Sequence, residues 1–166
     1  SVRAALGQTL ALGQGTGTKL QNVAAPREPL HLVIVAAQFG LSTPSVFKQL
    51  DAGRAAGEYP ASGELVEPVE LLSTLNSYDG SEAALASLAP LLRNDLQTPA
   101  LSCAPQLEQT LNLRESEGVY ASLVSGSGPT VLLLTSSQAR AEALASTLRA
   151  AGNHAVSAVS AVLNHP

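Results

Sequence analysis

The sequence predicts an α+β fold, a ferredoxin-like antiparallel sheet with helices packed mainly on one face. Three features carry that reading. The run HLVIVAAQF at 31–39 is apolar and rich in β-branched residues, as a buried strand requires. A long middle section has apolar residues at helical spacing. The chain then closes in the order strand, strand, helix, strand over 119–162, which suits a split βαβ unit. Strands at both ends with helices between them fit one antiparallel sheet and a helical layer.

Each element has its own signal. Residues 1–18 are small, apolar and glycine-rich, with glycines at 7, 13, 15 and 17. After the 31–39 strand, Ser42-Thr43-Pro44 opens a helix. Thr43 suits the cap, and Pro44 the first helical position, where a missing N–H costs nothing. Val46, Phe47 and Leu50 form its apolar face. Residues 53–68 are rich in Gly, Ala, Pro and Glu and read as a surface connection. A short helix follows over 68–75. Asp79 and Glu82 have the spacing of a capping box. They open a helix with Leu85, Leu88, Ala89, Leu92 and Leu96 on one face, broken at Pro99. A further helix is expected from Pro105 to Arg114, ending near Gly118. Strands at 119–125 and 131–134 flank SGSGPT. The last helix, 138–150, carries Ala141, Leu144, Ala145 and Leu148 at i, i+3, i+4 and i+7. Gly152 stands where a left-handed C-terminal cap belongs. HAVSAVSAV at 154–162 is the final strand.

Composition narrows the function classes. A chain of 166 residues is long enough to bury a core as one domain. Its net charge is −4 and it has only two lysines, so it lacks the basic footprint that nucleic acid or an anionic membrane would need. No run approaches a membrane span and no secretion signal opens the chain. Cys103 is the single cysteine and cannot form an internal disulfide, which fits a reducing cytoplasm. Methionine is absent altogether, so the chain is expected to be a piece whose start is not the natural one.

Two glycine clusters are the candidate sites. Ser125, Gly126, Ser127, Gly128, Pro129 and Thr130 read as a plain turn between antiparallel strands, where glycines supply positive φ. Spacing alone favours the turn, and the alternative reading is an anion-binding nest. Without side chains to keep a ligand off, successive N–H groups can face a phosphate, and Ser127 and Thr130 add hydroxyls. The cluster is neither a P-loop nor a dinucleotide fingerprint, because the lysine of one and the third glycine of the other are missing. The second cluster is GQGTGTK, with Gln14, Gly15, Gly17 and Lys19. It marks either strand irregularity or a ligand edge. His31, His154 and His165 lack metal-ligand spacing. Cys103 has no histidine near it in sequence and reads as a buried or half-buried structural thiol. Asn94-Asp95, at a helix end, could be a site; the favoured reading is solvent-facing or helix-terminating residues.

SLVSGSGPTVLLL at 122–134 resembles the third signature motif of the small-molecule kinases that include galactokinase, homoserine kinase and mevalonate kinase. HLVIVAAQFGLSTPSVFKQLD at 31–51, RNDLQTPALSCAPQLEQTL at 93–111 and ALGQGTGTKL at 11–20 narrow the likeness to the 4-diphosphocytidyl-2-C-methyl-D-erythritol kinases. The resemblance implies phosphorylation of the 2-hydroxyl of that substrate by ATP with Mg²⁺, in the non-mevalonate route to isoprenoids. It implies that residues 1–166 are the C-terminal domain of a two-domain enzyme. The N-terminal domain would carry the phosphate loop, the catalytic aspartate and lysine, and no stretch here matches them. No catalytic residue or metal ligand is therefore expected in this chain, and no ATP or Mg²⁺ bound by it alone. Residues 125–130 would form one wall of the active site, and 14–19 would lie at the nucleotide end of the substrate. The alternatives are a sister kinase such as homoserine kinase, or a non-catalytic ferredoxin-like module that binds an effector or a partner. An uncovered domain face should drive self-association. Light scattering across a concentration series should show dimers or larger species, and a monodisperse monomer at high concentration contradicts this.

Overall fold

The pleat of one central strand decides where the helices lie. The computed structural model describes residues 11–14, 19–22, 26, 28–59, 68–153 and 155–161. Strands β1 (Ala11–Gln14) and β2 (Lys19–Asn22) pair antiparallel as a hairpin of their own. Strand β3 (Leu30–Val35) begins the main sheet. Five helices follow: α1 (Thr43–Ala55), α2 (Val69–Asn76), α3 (Glu82–Leu88), α4 (Gln97–Cys103) and α5 (Leu107–Leu111). Then come β4 (Val119–Val124), β5 (Val131–Thr135), α6 (Gln138–Ala150) and β6 (Val156–Ala161).

The main sheet has the order β4-β5-β3-β6, and each neighbouring pair is antiparallel. Because β5 and β6 both run against β3, they are parallel to each other. Helix α6 joins them with β3 inserted between. The same logic makes β3 and β4 parallel across β5. These are two split βαβ units, the ferredoxin-like arrangement expected from the closing elements.

Side chains alternate across β3, and each face has its own helices. Val33 and Val35 point to one face with Val131 and Leu133 of β5, Val124 of β4 and Val156 of β6. Val46 of α1, Ala100 of α4, Leu107 and Leu111 of α5, and Ala141, Ala145 and Leu148 of α6 close over them. Leu30 and Leu32 point the other way with Leu134. Leu75 of α2, Tyr78, and Leu85 and Leu88 of α3 pack there. The larger helical layer is thus on one face, as expected, while α2 and α3 cover part of the second.

Several local expectations shift by a few residues. Val35 pairs with Val131 and Val156, the first residues of β5 and β6, so the strand stops at 35 rather than 39 for want of a ladder partner. Only Ala36 N adds one more bond, to Ala155 O at 2.9 Å. Ser42, not Thr43, caps α1, and Pro44 sits within the first turn. Val46 and Leu50 are buried, but Phe47 is 47% exposed and lies off the core face. Ser81 caps α3, and its hydroxyl accepts from Ala84 N at 3.2 Å. Asp79 instead accepts from Ser81 N at 3.0 Å, just ahead of the helix. Hydrogen bonds from the Ser81 hydroxyl and amide hold the Asp79 carboxyl below its ordinary pKa. The helix expected through Leu96 ends at Leu88, passes through a 3₁₀ turn at Ala89–Leu91 and becomes extended at Leu92. Pro99 does not break a helix. It sits in the first turn of α4, where backbone N–H groups have no helical acceptor. The expected helix 105–114 is α5 followed by a 3₁₀ turn at Asn112–Glu115.

The close of α6 is as the sequence predicts. Gly152 has φ +97°, Gly152 N donates to Arg149 O and Asn153 N to Leu148 O, each at 3.0 Å. That is a Schellman motif. Residues 60–67, inside the expected surface connection, lie outside the described residues, as does His154.

Leu85 is fully buried on the second face. Leu85→Ala should cost about 2–5 kcal/mol of unfolding free energy, from lost transfer energy and the cavity left behind. Phe47→Ala should cost less than Leu85→Ala, since Phe47 keeps 47% of its surface exposed and leaves no enclosed cavity. Urea denaturation of both variants measures the difference.

Candidate active site

Strand β4 is an edge of the main sheet, so alternate residues turn their N–H and C=O away from β5. At its last residue, Val124, side chains take both groups. Val124 N donates to Gln97 Oε1 at 3.1 Å, and Asn94 Nδ2 donates to Val124 O at 2.7 Å. The same Nδ2 donates to Gly126 O, also at 2.7 Å. Asn94 Oδ1 accepts from Leu96 N at 3.1 Å, just before α4. Two carbonyls can only accept, so the donor end of the Asn94 amide must face them. Asn94 is therefore neither solvent-facing nor a helix terminator. It ties the start of α4 to the glycine loop, a link that crosses 30 residues and leaves no trace in local sequence.

The loop itself closes with two backbone bonds. Ser125 N donates to Thr130 O at 2.8 Å, and Gly128 N donates to Ser125 O at 2.9 Å. Its two glycines are required for different reasons. Gly126 has φ +57° and open space where a Cβ would stand. Gly128 has φ +81°, and a Cβ there would lie 3.1 Å from Val124 Cγ1 and 3.3 Å from Leu41 Cδ2. The Gly128–Pro129 peptide is cis. Among the described residues, the Gly126 and Ser127 amides donate to no protein acceptor.

A second element meets the loop. Thr43 Oγ1 lies 2.8 Å from Ser127 Oγ, so the two hydroxyls share a hydrogen bond. Thr43 is the first residue of α1; the next residue, Pro44, has no N–H and Ser45 N donates to Ser42 Oγ at 3.4 Å, so the helix start contributes mainly its dipole and the Thr43 hydroxyl. Two free loop amides, a hydroxyl pair and a helix start thus gather at one corner of the sheet. This arrangement can hold an anionic oxygen without a lysine.

The other candidates fare differently. Gln14 and Lys19 face each other as backbone partners in the β1–β2 hairpin, which is a separate sheet. Gly15 and Gly17 lie outside the described residues. Cys103 is exposed, not buried, because it falls at the last turn of α4, and Sγ lies 3.9 Å from Ser45 O. His31 Nδ1 pairs with Ser160 Oγ at 2.9 Å. His165 lies outside the described residues. Among the described residues no three His, Cys, Asp or Glu side chains could hold a metal, and no helix is long and apolar enough to cross a membrane.

Gly128→Ala forces both a left-handed backbone and a crowded Cβ, whereas Gly126→Ala forces only the backbone. The backbone term alone is about 1–2 kcal/mol. Gly128→Ala should therefore be the more destabilising of the two in urea denaturation. Equal effects would mean that Leu41 and Val124 give way without cost.

Residues 72–154 match the family described as GHMP kinases C terminal. A protein from Nocardia farcinica named 4-diphosphocytidyl-2-C-methyl-D-erythritol kinase is 44% identical over 142 residues, 86% of this chain and 43% of that protein. One of the same name from Pseudarthrobacter chlorophenolicus is 41% identical over 142 residues, 86% of this chain and 42% of that protein. A crystal structure of 4-(cytidine 5'-diphospho)-2C-methyl-D-erythritol kinase has a TM-score of 0.67 at 24% sequence identity. It covers 90% of this chain and 48% of that one, and at that identity the likeness speaks to the fold. The chain spans less than half the length of these relatives. The family match runs from α2 through α6, taking in Asn94 and the whole 125–130 loop, and the chain belongs to the family of GHMP kinase C-terminal domains.

Proposed function

We propose that this chain is the C-terminal domain of an ATP-dependent kinase that phosphorylates the 2-hydroxyl of 4-diphosphocytidyl-2-C-methyl-D-erythritol, in non-mevalonate isoprenoid synthesis. The identity to relatives of that name over 86% of the chain carries the reading. The corner built by Ser125, Gly126, Ser127, Gly128, Pro129 and Thr130 supports it chemically. Phosphoryl transfer depends on positioning and on stabilising charge spread over phosphate oxygens. The free amides of Gly126 and Ser127 and the Ser127–Thr43 hydroxyl pair can do both, as one wall of the site.

The rest of the chemistry falls to an N-terminal domain. ATP supplies the transferred phosphoryl group. Mg²⁺ bound beside a nucleotide usually takes one or two carboxylates together with phosphate oxygens, and on this reading the N-terminal domain would supply those carboxylates. No side chain at the loop is a carboxylate or lysine that could take the hydroxyl proton; Ser125, Ser127 and Thr130 offer only hydroxyls. This domain therefore binds, orients and excludes water, and the partner domain moves the proton. Gln14 to Lys19 would approach the nucleotide end of the substrate.

A coupled ADP-release assay with ATP and 4-diphosphocytidyl-2-C-methyl-D-erythritol tests the reading. The complete two-domain protein should turn over, with the phosphate on the 2-hydroxyl by mass spectrometry and NMR. Residues 1–166 alone should show none. A folded complete protein that acts on homoserine instead would move the assignment to a sister kinase. No transfer to any alcohol would favour a non-catalytic module. Turnover by residues 1–166 alone would end the two-domain division.

A further inference from the structure

We propose that Asn94 is a positioning residue for phosphoryl transfer, acting through the loop it bridges; this rests on the kinase reading above. A trans peptide points its C=O and the following N–H in opposite directions. Gly126 O is held by Asn94 Nδ2 at 2.7 Å, so the Ser127 N–H is aimed away from Asn94. Ser125 O is held by Gly128 N at 2.9 Å, which in the same way aims the Gly126 N–H. One of the two free amides is thus oriented by the loop itself, and the other by a side chain 32 residues away.

The anchoring is also rigid. Nδ2 spends both hydrogens on carbonyls either side of Ser125, at Val124 and Gly126. Oδ1 is fixed by Leu96 N, and the neighbouring Gln97 holds Val124 N. The loop cannot rotate the 126–127 peptide without breaking the Asn94 bond. Orientation of a donor before reaction is what makes it effective toward charge that develops in the transition state. The Ser127 amide is the donor that Asn94 orients.

Asn94→Asp separates the two ends of the side chain. It keeps an acceptor for Leu96 N and puts a carboxylate oxygen against two carbonyl oxygens, so the Gly126 C=O must turn. Asn94→Ala removes the donor without adding charge. Both are made in the complete two-domain protein and assayed beside the unmodified enzyme, with circular dichroism and hydrogen exchange in β4 and β5 as checks on folding. The expected result is a fall in kcat of about 100-fold, as for a displaced catalytic donor. KM for ATP and for the alcohol should stay within about threefold, because the lost interaction belongs to the transition state.

Loss of activity that follows loss of hydrogen-exchange protection, or failure of both variants to fold, overturns the proposal, since Asn94 then only holds the structure. A raised KM with kcat intact overturns it too. Variants as active as an active parent overturn it and leave the kinase reading standing. A parent that transfers no phosphate brings down the kinase reading itself.

Discussion

The end of an edge strand must dispose of its outward-facing polar groups, and at Val124 this requirement shapes everything around the glycine loop. Water or another strand could have taken the Val124 N–H and C=O. Instead Gln97 and Asn94 take them, from the stretch that opens α4. Pairing the edge with side chains ends the sheet there. It also docks the start of α4 against the loop, while the Gly126 and Ser127 amides keep no protein acceptor among the described residues. Structural satisfaction of one backbone position and availability of the next two are parts of one arrangement.

Loop and sheet are coupled through packing as well. A Cβ at Gly128 would meet Val124 at the end of β4, Leu41 ahead of α1 and, at 3.9 Å, Leu107 of α5. Three elements therefore converge on one missing side chain. The Thr43–Ser127 bond adds a polar tie from α1. A loop held from four directions has little conformational freedom to lose when a ligand arrives, and such preorganisation favours tight, oriented binding.

Much of the architecture was legible because its signals are local. The 3.6-residue spacing of Ala141, Leu144, Ala145 and Leu148 marked α6, and Gly152 marked its end. The apolar run at 31–35 marked the strand that ends up central. Misreadings arose where the deciding partner is distant or the local signal fits two answers. Pro99 could break a helix or sit in its first turn, and only the position of Leu96 as cap decides. Phe47 has helical spacing with Val46 and Leu50 yet points outward. At the site, the glycines of SGSGPT announced a special loop. The roles of Asn94, Gln97 and Thr43 rest on contacts across 27 to 84 residues, which periodicity and spacing cannot register.

The charge of the chain bears on how such a corner would handle phosphate. With a formal net charge of −4, long-range attraction to an anion cannot come from the chain as a whole. What the loop offers is short-range: two oriented amides, hydroxyls and a helix start, whose fields act within a few ångströms. On the proposed reading, that suits a wall of the site better than a capture surface. Steering of the anionic nucleotide would fall to the companion domain. This domain would contribute only once substrate and phosphate are already in contact with it, where fixed dipoles stabilise charge without reorganising. If the proposed reading holds, a division of that kind lets a domain with no lysine at its glycine loop still shape the reaction.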